Sequence, residues 1–276
     1  MQKMNIKIII ASFFLATNLF ASPNFKFNND FFAPGGKDRY LTNDFFLDVK
    51  VKEGLRLGIG SEMYTPDNLR TSEIEKHDHP YSGYTYISLQ EKQVVNLQEK
   101  RLYEIRIGLL GDASKAKRLQ KFVHNDLDLG TDPKGWDNQN GSELAIDLMY
   151  AHQTRDVVSS FVGATEIITT QGFRIGNVVT EYFIDTEVNK IFYEKFVGFV
   201  GIDGHFKLFD THIEGRLFSD NIHTKEAEYF VAGCKAGVAY KYEDYKIGFQ
   251  YLLQTRTFRE QPDNHLVGSV FITKDF

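Results

Sequence analysis

The chain has 276 residues, 32 Lys and Arg against 37 Asp and Glu for a net charge of −5, and a single cysteine, Cys234. One cysteine excludes a disulfide framework, so mild a charge gives no sign of a nucleic-acid partner, and the length suits one large domain. A mean hydropathy of −0.33 reads as soluble, a disguise that transmembrane barrels share because only every second residue must be apolar.

The N-terminus reads as an export signal. Lys3 and Lys7 precede an apolar run from Ile8 to Phe20 that ends in Leu19-Phe20-Ala21, the charged, apolar and small-residue parts of a secretory signal, with cleavage expected after Ala21. The run is short for the ~20 residues of a spanning helix. Residues 1–21 are therefore expected to be removed, and 22–276 to form one barrel domain.

Alternation with period two then dominates. Asn43, Phe45, Leu47, Val49 and Val51 share one face, while Thr42, Asp44, Asp48, Lys50 and Lys52 share the other, the mark of a half-apolar strand. The pattern returns at Tyr103, Ile105, Ile107 and Leu109, at Phe230 to Tyr240, and at Tyr245 to Leu253, with Glu104, Arg106, Lys235, Lys241, Lys246 and Gln250 opposite. These charges are expected to line an interior. About twelve strands follow, an even number of the kind bacterial barrels use. The expected spans are 23–32, 41–52, 55–64, 80–94, 99–110, 142–153, 156–169, 174–188, 195–209, 226–242, 244–256 and 265–276. A tight Lys52-Glu53-Gly54 turn contrasts with long links at 64–79 and 111–140, as short periplasmic turns contrast with long outer loops. The predicted fold is thus all-β, a transmembrane antiparallel barrel with a short helix in an extracellular loop. Terminal Phe276, with Ile272, Val270 and Leu266 at two-residue steps interrupted by Lys274 and Gly268, resembles the C-terminal signal of outer-membrane barrels.

The helix is predicted between Gly111 and Glu143. Gln120 and His124 stand four residues apart on one face, one turn beyond Ala116. Asp112 or Ser114 caps its start, and Gly130 with Pro133 ends it. Gly135-Trp136-Asp137-Asn138-Gln139 follows.

Several of these features together carry a family resemblance: Asn29-Asp30 closing the first strand, Asp38 with Leu41-Thr42 opening the second, Tyr81-Ser82-Gly83 in the fourth, Gln120 with His124, and the Gly135–Gln139 run followed by Glu143. In this order the chain resembles the outer-membrane lipid A 3′-O-deacylase family over nearly its whole mature length. The resemblance implies a twelve-stranded barrel enzyme that removes acyl groups ester-linked at the 3′ position of lipid A, with Ca²⁺. It implies Asn29, Asp30, Thr42, Gln120 and His124 as active residues, an active site at the extracellular side of the outer membrane, and lipid A or lipopolysaccharide as substrate among outer-membrane lipids. A monomer is expected.

Chemistry distributes further roles. Hard Ca²⁺ prefers carboxylate and amide oxygen, so Asp30 and Asn29 are the expected metal ligands. Asp128 is favoured among Asp126, Asp128 and Asp132 as the acid orienting His124. Tyr81 shapes the site, while Lys115, Arg118 and Lys121 on the helix and Arg70 on the preceding outer loop are placed to meet lipid A phosphates. Phe31, Phe32, Tyr84 and Tyr86 are candidates for a sideways apolar groove. Thr42, on the polar face of the second strand, is expected to point inward. A regular first strand would put Asn29 with Phe25 and Phe27 but Asp30 with Lys26 on the opposite face, so both meet one pocket only if the strand bends there.

Two other classes remain in view. An outer-membrane phospholipase A-type hydrolase would use a serine beside a histidine; Ser82 and Ser88 are available, though neither has an obvious partner in the sequence. A pore would use a charged lumen and a folded-in constriction loop, but about twelve strands leave little open channel; a scaffold would have no use for the His124 loop.

Overall fold

The computed structural model describes residues 22–34, 39–126, 130–160, 163–192 and 195–274. The export signal at 1–21, Asp38, Asp128 and Phe276 lie outside the described residues. Twelve strands close into one barrel in which every neighbouring pair is antiparallel and the first strand pairs with the last. They are β1 (Asn24–Asn29), β2 (Tyr40–Lys52), β3 (Leu55–Thr65), β4 (Ser82–Val94), β5 (Glu99–Leu110), β6 (Glu143–Ser160), β7 (Gly163–Gly176), β8 (Val179–Phe192), β9 (Phe196–Asp210), β10 (Phe230–Tyr242), β11 (Tyr245–Gln254) and β12 (His265–Lys274). Closure leaves no open edge to pair with another chain.

The alternation sorts itself as the chemistry requires. Leu57, Ile59, Ile87, Leu89, Ile107 and Ile146 are exposed on the outer surface, as a band facing acyl chains must be. Near the short-turn end Phe196 and Tyr240 meet at 5.2 Å, part of an interfacial aromatic girdle. Inward charges pair across the lumen wall: Arg106 meets Glu104 at 3.0 Å and Glu62 at 3.5 Å, Arg174 meets Glu181 at 3.6 Å, and Lys235 meets Asp185 at 2.9 Å and Glu187 at 3.0 Å. Buried charges persist only with such partners. No described helix is long and apolar enough to cross a membrane; the crossing is made by strands.

Strands β6, β7 and β8 depart most from the sequence expectation. A break is expected at 154–155, between the spans 142–153 and 156–169, yet β6 runs on to Ser160, with Arg155 paired to Glu166 on β7. A second break is expected at 170–173, between the spans 156–169 and 174–188. Gly172 instead lies mid-strand, where an added Cβ would strike Tyr150 and Ala151 of the adjoining strand, so the glycine serves a close approach. The β7–β8 link is consequently only Asn177-Val178, a short connection at the otherwise long-loop end, held by Asn177 Nδ2 donating to Glu143 at 2.8 Å.

Two helices decorate that end. Helix α1 (Ala116–Lys121) lies in the β5–β6 loop, preceded by a 3-10 turn at Gly111–Ser114 and followed by a π turn at Phe122–Asp126. A single helical turn, α2 (Thr211–Glu214), sits in the β9–β10 loop and was not legible in the sequence.

Candidate active site at the outer rim

Helix α1 lies outside the cylinder. On β3, exposed Leu57 and Ile59 set the outward face, which two-residue steps carry on to Ser61, Met63 and Thr65; on β4, Ile87 and Leu89 lead to Thr85 and Gly83. These upper residues share the lipid-facing side yet are covered or part-buried, because the β5–β6 loop lies over them. Thr85 Oγ1 donates to the Ser114 carbonyl at 2.9 Å and lies 3.1 Å from Ser61 Oγ. Gly83 permits the approach: a Cβ there would overlap Ala116 Cβ and Ser114 Oγ. Met63, Leu69, Tyr81, Ala116 and Trp136 form one buried cluster between wall and loop.

Local chemistry shapes the helix. Neither expected cap takes the N-cap position, which is Lys115 without a side-chain cap bond; Ser114, at the end of the preceding 3-10 turn, accepts from the Ala116 amide at 3.2 Å through its Oγ. Lys115 takes a left-handed conformation, φ 63°, which turns the chain into the helix. Gln120, 3% exposed, accepts from Trp136 Nε1 at 2.6 Å through its Oε1; its buried Nε2 has no hydrogen-bond partner among the described residues. Trp136 packs on Tyr81 at 5.0 Å between ring centroids. His124, 8% exposed, lies in the π turn with Nδ1 2.5 Å from the Thr131 carbonyl. A carbonyl accepts only, so Nδ1 carries the proton and Nε2 the lone pair. A Cβ on Gly130 would press within 2.7 Å of that ring, so the returning loop also fixes the imidazole.

On the facing wall the β2–β3 register shifts between Leu41 and Asn43. This bulge corrects the expectation for Thr42: it leaves the inward set and meets the outward Thr65, Oγ1 to Oγ1 at 2.6 Å. Regular alternation could not show an irregularity imposed by pairing. The bend expected at Asn29-Asp30 is present, since β1 ends at Asn29 and Asp30–Phe32 form a 3-10 turn. The pair separates in role. Asn29 Oδ1 accepts from the Phe31 amide at 2.8 Å as the cap of that turn, while Asp30, 2% exposed, accepts from the Arg39 backbone amide. That bond pins the Asp30 carboxylate three residues upstream of Thr42.

The remaining expected residues divide. Tyr81 is in the buried cluster. Arg118 and Lys121 flank α1 and help line an open groove of about 380 Å³ with Lys117 and Phe122. Lys115 is exposed and 3.8 Å from Asp112, and Arg70 is exposed on the β3–β4 loop. Of the aromatic groove candidates, Tyr84 and Tyr86 point inward, where Arg106 lies over the Tyr86 ring at 4.6 Å, and so cannot line a lipid-side groove. Phe32 stays outside, against Phe27 at 5.6 Å. One partner of His124 is the Thr131 backbone carbonyl, and Asp128 lies outside the described residues.

A calcium ion could draw on Asp30, whose buried carboxylate has the right hard oxygens. Asn29 fits less well, its amide oxygen being engaged as a turn cap. The described residues gather no group of three acidic or histidine side chains, so backbone carbonyls, water and substrate would complete such a site.

The profile of the family described as "Outer membrane protein LpxR" matches residues 8–189 and 186–276. The chain belongs to this family. This LpxR-family protein is therefore an outer-membrane barrel, and its long loops and α1 stand on the extracellular side. Its fold matches that of LpxR from Salmonella typhimurium with a TM-score of 0.77 at 13% identity, over 93% of this chain and 100% of that one. The NanC porin (TM-score 0.48, 6% identity, 92% and 100% covered) and the KdgM porin in complex with disordered oligogalacturonate (0.45, 8%, 93% and 99%) also align. No curated protein matches by sequence.

Sequence reasoning overlooked one constellation. Ser82 does have a histidine partner: its Oγ lies 2.8 Å from His212 Nδ1. The two are 130 residues apart, and no local motif links them.

Proposed function

We propose that this LpxR-family protein hydrolyses the 3′-linked acyl ester or esters of lipid A in the outer leaflet, with His124-activated water as nucleophile and calcium as cofactor. The observation that carries this reading is the seat of α1 on the lipid-facing wall, at the upper margin of the apolar band. An anchored glycolipid reaches that position by lateral motion in the leaflet. A site in the lumen would drag acyl chains past paired charges.

Ester hydrolysis requires a base for water and a donor for the carbonyl oxygen as it becomes an oxyanion. In the tautomer fixed by Thr131, His124 accepts the water proton at Nε2, and the hydroxide attacks the ester carbonyl carbon. No acyl-enzyme forms. Gln120, anchored through its oxygen by Trp136, has its amide hydrogens available to the carbonyl oxygen. Thr42 positions the water or the sugar. Calcium, when bound with Asp30 among its ligands, would add positive charge beside the oxyanion. Lys117, Arg118 and Lys121 along the groove suit the lipid A phosphates, and Phe122 suits the adjoining acyl region.

Mass spectrometry of lipid A from a host expressing the chain tests the reaction. Loss of the 3′ acyl mass is expected, and a chelator added to the purified enzyme should abolish it. Loss of phospholipid acyl chains instead would favour the phospholipase reading.

A further inference from the structure

The outer mouth of the lumen holds a second group of reactive side chains, on the opposite side of the wall from His124. Ser82 opens β4 on the inward face that it shares with Tyr84. Ser82 is half-buried, and its Oγ is 2.8 Å from Nδ1 of His212. The other ring nitrogen of His212, Nε2, faces Glu62 Oε2 at 3.4 Å, and Glu62 is held in turn by Arg106 at 3.5 Å. The His212 ring is 1% exposed and stacks on Tyr64 at 4.3 Å. Helix α2 fixes its backbone: Asp210 Oδ1 accepts the His212 amide at 3.0 Å, and Thr211 Oγ1 donates to the Gly215 carbonyl at 3.0 Å.

This is the order of groups that activates a hydroxyl: a nucleophile within hydrogen-bond reach of a base, and the base oriented by a third group. Ser82 Oγ–H donates to Nδ1, which leaves the ring proton on Nε2, aimed at Glu62. When the ring takes the serine proton, the Glu62 carboxylate already faces the new charge. A contact of 3.4 Å is long for a formed bond, but such contacts tighten as charge develops. The base is buried, whereas Ser82 is only half-buried.

We propose that Ser82, His212 and Glu62 form a second, serine-based nucleophilic site that is acylated by small, water-soluble carboxylic esters entering the outer mouth of the barrel. Size and polarity follow from the surroundings, since the Tyr64 ring and the Glu62–Arg106 pair stand against His212 and a charged pair there would not accept a long acyl chain. In acylation the Oγ–carbonyl bond forms, the ester C–O bond breaks, and the Ser82 proton passes through His212 to the leaving alkoxide. Water then attacks the acyl-serine, giving its proton to His212, and the carboxylic acid leaves as the serine oxygen is reprotonated. The site needs neither His124 nor calcium.

The test uses the full folded barrel in detergent with a chelator present. A fluorophosphonate probe reports the nucleophile, forming an Oγ–P bond as fluoride leaves, and p-nitrophenyl acetate reports turnover. One adduct per chain is expected, mapped to Ser82 by peptide mass spectrometry and retained in His124→Ala. His212→Gln should slow its formation by about 10²–10⁴-fold, the size of a general-base contribution. If Ser82→Ala fails to fold, Ser82→Cys with an alkylating probe reads the same dependence on His212. No adduct on a heat-modifiable, folded wild-type barrel, an adduct on another serine, or equal rates with and without His212 would overturn the proposal.

Discussion

Gln120 and His124 are each anchored by a partner within the β5–β6 loop. Trp136 binds the Gln120 oxygen, and Thr131 binds His124 Nδ1. Replacing His124 by Ala is expected to lower lipid A deacylation by about 10²–10⁴-fold while the barrel still shifts on heating in a gel; a mass-spectrometric time course measures it. The four-residue spacing of the two was legible because helical geometry is local. The Thr131 partner was not, since it depends on how the loop returns. A second histidine makes a pH prediction. Burial pushes the His79 imidazole down from 6.5 to about 3, and the ring stacks on Tyr64 at 5.3 Å with Nδ1 on the Pro80 carbonyl at 2.7 Å. The unfolded form protonates first, so His79 supports the folded loop above pH 6.5 and that support is lost as pH falls toward 3. The protection of amides over 66–81, corrected for the intrinsic pH dependence of exchange, should fall as pH drops from about 7 to about 4, and His79→Phe should flatten that dependence.

At the level of elements, the site depends on α1 staying seated on β3 and β4. Gly83→Val would place side-chain atoms where Ala116 and Ser114 now lie. A displacement of the helix by about 1 Å is expected to cost about a hundredfold in activity with little change in barrel stability. Lipid A assay and heat-modifiability on the same preparation separate the two effects; unchanged activity would mean that α1 is not part of the site. Strand existence was legible from alternation throughout, and the β4 and β5 ends matched closely. The β6–β8 ends were not, because Arg155 and Gly172 are turn-like in sequence and strand-like only beside Glu166, Tyr150 and Ala151. The β2 bulge that redirects Thr42 is likewise a property of the strand pair.

For the whole molecule, the closed wall separates two chemistries. Outside, the apolar band and α1 meet the leaflet; inside, paired charges, inward tyrosines and α2 crowd the lumen. A twelve-stranded cylinder so lined leaves little water-filled path. Planar-bilayer recording of the purified protein is therefore expected to show no steady open level of porin size, and a stable porin-like conductance would contradict this description of the lumen.

The sequence by itself determined the class of fold, the strand count and the presence of a short helix in the β5–β6 loop, because period-two and period-3.6 patterns are read within one segment. Tertiary structure alone decided on which side of the wall that loop lies, which atom orients His124, where Thr42 points, and that Ser82 finds His212. Each of these depends on contacts between strands or loops far apart in the chain, where pairing register and loop return, rather than local preference, set the geometry.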